Sequence, residues 1–197
     1  MQNITFKEHL KAYLIDMLVM FIFIALVSFI LGGNNANITN LTAESDALKD
    51  SYLSHNISFS TFIHNYAEIA YDVDKYQVLS YIIDALFIIG YFVFVPFFRN
   101  GQTLGKKLTH IKVIEENNKY LGLNNLMMRS FITTGLFAML ISLALIYLVP
   151  AWVYFVSVSI INFIQFLLVI ISAFMIIYRR DKCGLQDMLG HTRVVKE

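Results

Sequence analysis

Long apolar stretches dominate the chain, and polar residues gather between them unevenly. Residues 12–31 are almost wholly apolar apart from Asp16, and residues 79–98 are interrupted only by Asp84. From Phe131 to Tyr178 the apolar run is roughly twice the ~20 residues that cross a bilayer. Pro150 falls near its middle, followed by Trp152 and Tyr154. Proline removes a helical donor and restricts the residue before it, and such aromatics favour the membrane interface. The pattern predicts four transmembrane helices over about 11–32, 79–98, 127–149 and 152–178, in an all-α membrane protein. Between them lie a loop, 33–78, and two polar segments, 99–126 and 179–197, all within one membrane domain, 1–197. In the loop, Phe59, Phe62, Ile63, Tyr66, Ile69 and Ala70 recur at helical spacing, which predicts a short amphipathic helix on the outer surface.

Basic residues set the expected orientation. Lys7 and Lys11 precede the first stretch, and Arg99, Lys106, Lys107, Lys112, Lys119 and Arg129 separate the second from the third. Arg179, Arg180, Lys182, Arg193 and Lys196 follow the fourth, whereas loop 33–78 holds only Lys49 and Lys75 against six carboxylates. The positive-inside rule then places both termini and 99–126 in the cytoplasm. Arg99, Lys106 and Lys107 are expected to face anionic lipid headgroups at the inner face.

Composition fits this picture. Hydrophobic residues make up 57% and charged residues 15%, against about 25% charged in soluble proteins. The net charge of +1 points to no nucleic-acid partner, and the single cysteine, Cys183, rules out an intrachain disulfide.

The two polar segments resemble each other. "RNGQTLGKKLTHIKVIEE" follows the second stretch and "RRDKCGLQDMLGHTRVVKE" the fourth; with Arg99 set against Arg180, "LTHIKVI" faces "LGHTRVV". The alternation in both predicts short strands, around 108–114 and 189–195, lying side by side in a small cytoplasmic β-structure. The likeness implies a 2+2 parallel internal repeat, with an axis along the membrane normal. Asn117-Asn118 suits a tight turn, after which Tyr120–Leu123 is expected to fold back as a further strand.

Three stretches carry a resemblance to a known family. They are "AYLID" in the first span, "GQTLGKKL" with "IKV" and "RSF", and "GLQDMLGHTRVV". The chain resembles the RDD family of small membrane proteins across all four spans, but not in loop 33–78. The resemblance carries over Gly101, Thr103, Gly105, Lys106, Arg129, Gly184, Asp187 and Thr192 as motif residues, with Asp16 and Asp187 as the family's two aspartates. The family's arginine seven residues before the first aspartate is replaced by His9. What the resemblance implies is transport of a small solute or ion in a bacterial plasma membrane.

Polar groups inside the spans are the candidates for that role. Asp16 lies about 8 Å in from the inner edge and Asp84 about 8 Å in from the outer edge. Asn162 and Gln165 lie one turn apart at intermediate depth. Together they predict a polar ladder for a cation- or proton-coupled path, with His9 and Lys11 flanking Asp16. Asp16 is expected to pair with His9, Lys11, Arg129 or Lys106. Asn162 and Gln165 are more often interhelical hydrogen-bond partners than ligands. Asp187 is expected to pair with a basic group or to cap backbone amides. No metal-ligand spacing, phosphate loop or nucleophile–base motif is present, so neither enzyme activity nor a cofactor nor a metal is expected. Four helices enclose a path only narrowly, which implies a homo-oligomer or a membrane partner. The competing reading is a non-transporting scaffold or accessory subunit.

Overall fold

The computed structural model describes residues 4–32, 35–116 and 120–197. The chain is mostly helical, with one small sheet. Helix α1, Phe6–Gly32, starts at a capping box in which Thr5 N donates to Glu8 Oε2 at 2.8 Å and Glu8 N donates to Thr5 Oγ1 at 3.4 Å. Large apolar side chains such as Phe21 and Phe29 project outward from it, as lipid-facing residues do in a bilayer.

The loop after α1 is more ordered than its polarity predicts. It forms α2, Ala36–Leu53, and α3, Phe59–Tyr76, rather than one short helix. Asn35 and Ser58 supply the N-caps. None of the residues of α2 is buried, and periodicity gave no sign of it because its apolar positions form no stripe. Tyr52 anchors its end by stacking on Phe62 of α3, with ring centroids 4.9 Å apart. Helix α3 packs against the far end of the bundle through Tyr66–Phe155 and Tyr71–Tyr154 edge contacts.

Helix α4, Val78–Phe98, widens into a π-helical stretch over Gly90–Phe94. The widening ends just before buried Pro96, whose ring would crowd a carbonyl in a regular turn. After α4 come the short α5, Leu104–Leu108, and strand β1, Ile111–Glu115.

The third predicted span is not one helix. It divides into α6, Leu123–Thr133, and α7, Leu136–Leu148, bent by 78°. Gly135 sits at the break with φ +73°, a left-handed conformation that side chains disfavour. The 13 residues of α7 reach only about 20 Å, short of a hydrocarbon core of ~30 Å. Among the described residues, three helices (α1, α4 and α8, Ala151–Tyr178) are therefore long and apolar enough to cross a membrane, with a fourth span only if α6 and α7 count together. Pro150 provides the predicted boundary before α8.

Short helix α9, Leu185–Leu189, leads into strand β2, Thr192–Lys196. β1 and β2 pair antiparallel, with Ile111 opposite Lys196, Val113 opposite Val194 and Glu115 opposite Thr192. The predicted strands therefore form, shifted by a few residues toward the C-terminal side. The expected strand at Tyr120–Leu123 does not: β2 is the partner of β1, and Leu123 already begins α6. The turn expected at Asn117-Asn118 lies outside the described residues.

Two apolar clusters hold the layers together. Ala85, Ile88 and Leu136 join α4 to α7, with Met20 of α1 against them. Ile4, Ala12 and Ile111, with Val194, seat the sheet against the head of α1.

Candidate functional site

The buried polar groups of the chain converge where the sheet meets the helices, beginning with Asp16. Its place on α1 turns it inward, where it is 2% exposed. Its Oδ1 accepts from the Tyr91 hydroxyl at 2.7 Å and from Gly105 N at 2.8 Å. Its Oδ2 accepts from Thr103 Oγ1 at 2.6 Å and faces Lys106 Nζ at 3.6 Å. Charge-assisted bonds of this kind are about twice as strong as neutral ones. The approach is close because residue 105 is glycine: a Cβ there would lie 2.2 Å from the Ala12 carbonyl oxygen. Thr103 also caps α5 and accepts from Lys106 Nζ at 3.2 Å. Burial holds the Lys106 ammonium below its ordinary value; Asp16 opposes that shift and Arg129 adds to it.

A second clasp lies beside the first. Arg129 on α6 donates through Nη1 to Asp187 and, at 2.7 Å, to Thr192 Oγ1. Asp187 accepts from Gly184 N at 2.9 Å, so it both pairs with a base and caps α9. Ser172 on α8 donates to Gln186 and accepts from Leu185 N at 3.0 Å. Gly184 leaves room for this, since a Cβ would lie 2.6 Å from Ser172 Oγ. Gly101, at φ +84°, lets the chain pass against β1, where Val113 N donates to its carbonyl at 3.0 Å.

The two clasps match at several places. Thr103 and Gly184 are the caps, Lys106 and Asp187 the charged groups, and His110 and His191 both take positive φ, at 54° and 48°. Val113 and Val194, which align in sequence, also face each other across the sheet.

Between the clasps is a cavity of about 200 Å³. His9, Asp16, Lys106, Arg129, Ser130 and Gln186 give it a polar end, and Leu10, Tyr13, Val169 and Ile176 give it apolar walls. His9 thus shares the cavity with Asp16, whereas Lys11 is exposed.

The remaining sequence candidates lie apart. Asp84 on α4 is 4% exposed, and its Oδ1 has no hydrogen-bond partner among the described residues. Gln165 donates to the Ile132 carbonyl at 2.7 Å and so serves the break between α6 and α7. Asn162 is exposed and borders a small pocket with Asp74 and Tyr154. Lys106 is turned into the protein toward Asp16, while Arg99 and Lys107 are exposed.

Sequence reasoning missed Tyr91, Ser172 and Gln186 as members of the clasps, and Asp74, which accepts from the Tyr81 and Tyr154 hydroxyls at 2.8 and 2.9 Å. The likeness of the two polar segments was a usable signal for the first two, because Tyr91 and Ser172 fall at equivalent distances before them. A hydroxyl inside an apolar run otherwise carries no mark of its own.

No curated protein and no solved structure matches the chain. The sequence model of the RDD family does, over residues 10–191, which takes in Asp16 and its partners, Arg129, Asp187, strand β1 and nearly all of the apolar helices, and stops just before Thr192 and β2. With that match covering most of its length, this apolar, membrane-crossing chain belongs to the RDD family.

Proposed function

We propose that the chain takes part in moving a small solute or ion across the membrane, with cation or proton coupling. The observation that carries this reading is Asp84: a carboxyl inside an apolar helix, buried, with one oxygen lacking any partner among the described residues. Ionisable groups are costly at such depth and mark solute or proton routes by default. Asp16 fits the opposite role, since its donors leave it little capacity for cargo. We read the sheet end as cytoplasmic, from the basic residues there, and the membrane as a bacterial plasma membrane. A route through so few helices calls for a homo-oligomer or a membrane partner. Exposed Arg99 and Lys107 suit anionic headgroups at that face.

A scaffold or accessory subunit is the second reading, and the two buried ion pairs favour it: they lock helices together without needing cargo. Flux of protons and alkali cations in sealed liposomes separates the two. Loss of flux in Asp84→Asn, with the protein still folded, supports transport. Absence of flux in the wild type supports the scaffold.

A further inference from the structure

The cavity between the clasps has a one-sided supply of hydrogen-bonding capacity. The acceptors are occupied: each Asp16 oxygen faces two donors, and the Asp187 oxygens meet Arg129, Gly184 N and Gln186. The donors are not. Arg129 is 8% exposed, yet only its Nη1 donates, and Nε and Nη2 meet no acceptor among the described residues. Among the described residues the His9 side chain makes no hydrogen bond there, and the Lys106 ammonium has one firm acceptor, Thr103. All three line the cavity. Lys106 and Arg129 lie near enough to repel each other, a repulsion that an anion between them relieves.

The walls say what carries that anion. α1 and α8 both line the cavity yet make almost no backbone contact with each other, which leaves a gap between them on its side. Its rim there is Leu10 and Tyr13, both exposed, with Ile176 behind. About 200 Å³ accommodates a headgroup but not an acyl chain, which would leave through this gap.

We infer that this cavity binds a phosphate-type oxyanion, held by Arg129, Lys106 and His9, with any attached apolar body lying between α1 and α8. The source is a membrane phospholipid or free phosphate, and the inference holds whether or not the chain transports anything.

The test uses the full chain in detergent and reads thermal stability and native mass spectra. The probes are dioleoylphosphatidylglycerol, inorganic phosphate and dioleoylglycerol, which has the same tails and no oxyanion. The variants are His9→Leu, which leaves both ion pairs intact, and Lys106→Gln, which leaves Asp16 three donors. Saturable stabilisation by the phospholipid, absent with dioleoylglycerol and weakened about tenfold by either variant, supports the inference with a lipid source. Saturable stabilisation by inorganic phosphate, weakened in the same way, supports it with a free source. Equal stabilisation by dioleoylglycerol, a phospholipid effect unchanged in His9→Leu, or no effect of either oxyanion overturns it.

Discussion

Lys106 and Asp187 stand at matching positions of the two clasps and carry opposite charges. Each completes an ion pair with a group on the helix that opens its own half, Asp16 for Lys106 and Arg129 for Asp187. The sign is exchanged and the architecture kept, so the cluster stays neutral while both halves remain tied to the sheet. The loss of either carboxylate strands a buried cation.

That stranding is measurable. Asp16→Asn removes the charge facing Lys106, and breaking a buried pair costs about 3–5 kcal/mol. A lowered melting temperature in detergent is expected, and Asp16→Leu should fall further because the Tyr91, Thr103 and Gly105 donors lose their acceptor as well. A melting temperature equal to wild type would show that Asp16 is no clamp.

Asp84→Asn should behave differently. The amide keeps the side chain's size, and no ion pair is broken there among the described residues. Its melting temperature should stay within the shift that about 1 kcal/mol produces. A collapse comparable to that of Asp16→Asn would assign Asp84 a structural pairing instead.

Two glycines give a matched contrast. In Gly105→Ala the new carbon meets the Ala12 carbonyl at 2.2 Å and Asp16 Oδ1 at 2.8 Å, so α5 must lift away from α1. A loss of about 1–3 kcal/mol is expected. Gly90→Ala places its carbon where nothing lies within 4 Å, and should be neutral or mildly stabilising. Thermal unfolding of the two variants side by side checks the pairing.

Cys183 supplies a pH test. Burial, then Asp187 and Asp181, push its thiol from 9.0 up to about 11. Alkylation of the folded protein should therefore keep accelerating from pH 9 toward 11, whereas the unfolded chain levels off near 9. The same shift makes the folded state the better proton binder, so its stabilising contribution is complete below 9 and lost on the way to 11. A folded-state rate that levels off at 9 would contradict this half-buried placement beside Asp187.

Sidedness can be read with the same thiol. A membrane-impermeant maleimide added to intact cells should label a cysteine placed at exposed Ser54 and spare Cys183. Labelling of Cys183 alone would invert the orientation.

The apolar helices were legible because about 20 uninterrupted apolar residues have few other uses. The sheet was legible because two segments share alternation and a leucine–histidine pair. The bend at Gly135 was not, since Thr133, Thr134 and Gly135 are tolerated inside membrane helices and only the donation from Gln165 to the Ile132 carbonyl, 33 residues away in sequence, shows that a carbonyl is freed there. The partner of Asp16 was legible only as a set of cations. His9 and Lys11 are near in sequence, but the close approach that Gly105 permits brings Lys106 in from a different element. Helix α2 left no trace in periodicity because it buries nothing.

The arrangement of the clasps also orders assembly in time. Asp16, Tyr91, Thr103, Gly105 and Lys106 all belong to the earlier half of the chain, and Arg129, Asp187 and Thr192 to the later half. Each clasp closes a loop within its own half, whereas β1 must wait for β2. A chain emerging from the ribosome folds its leading portion first. The earlier clasp can thus shut before the later half has been made, whereas the cavity, which draws walls from both, is complete only once Val194 lies opposite Val113.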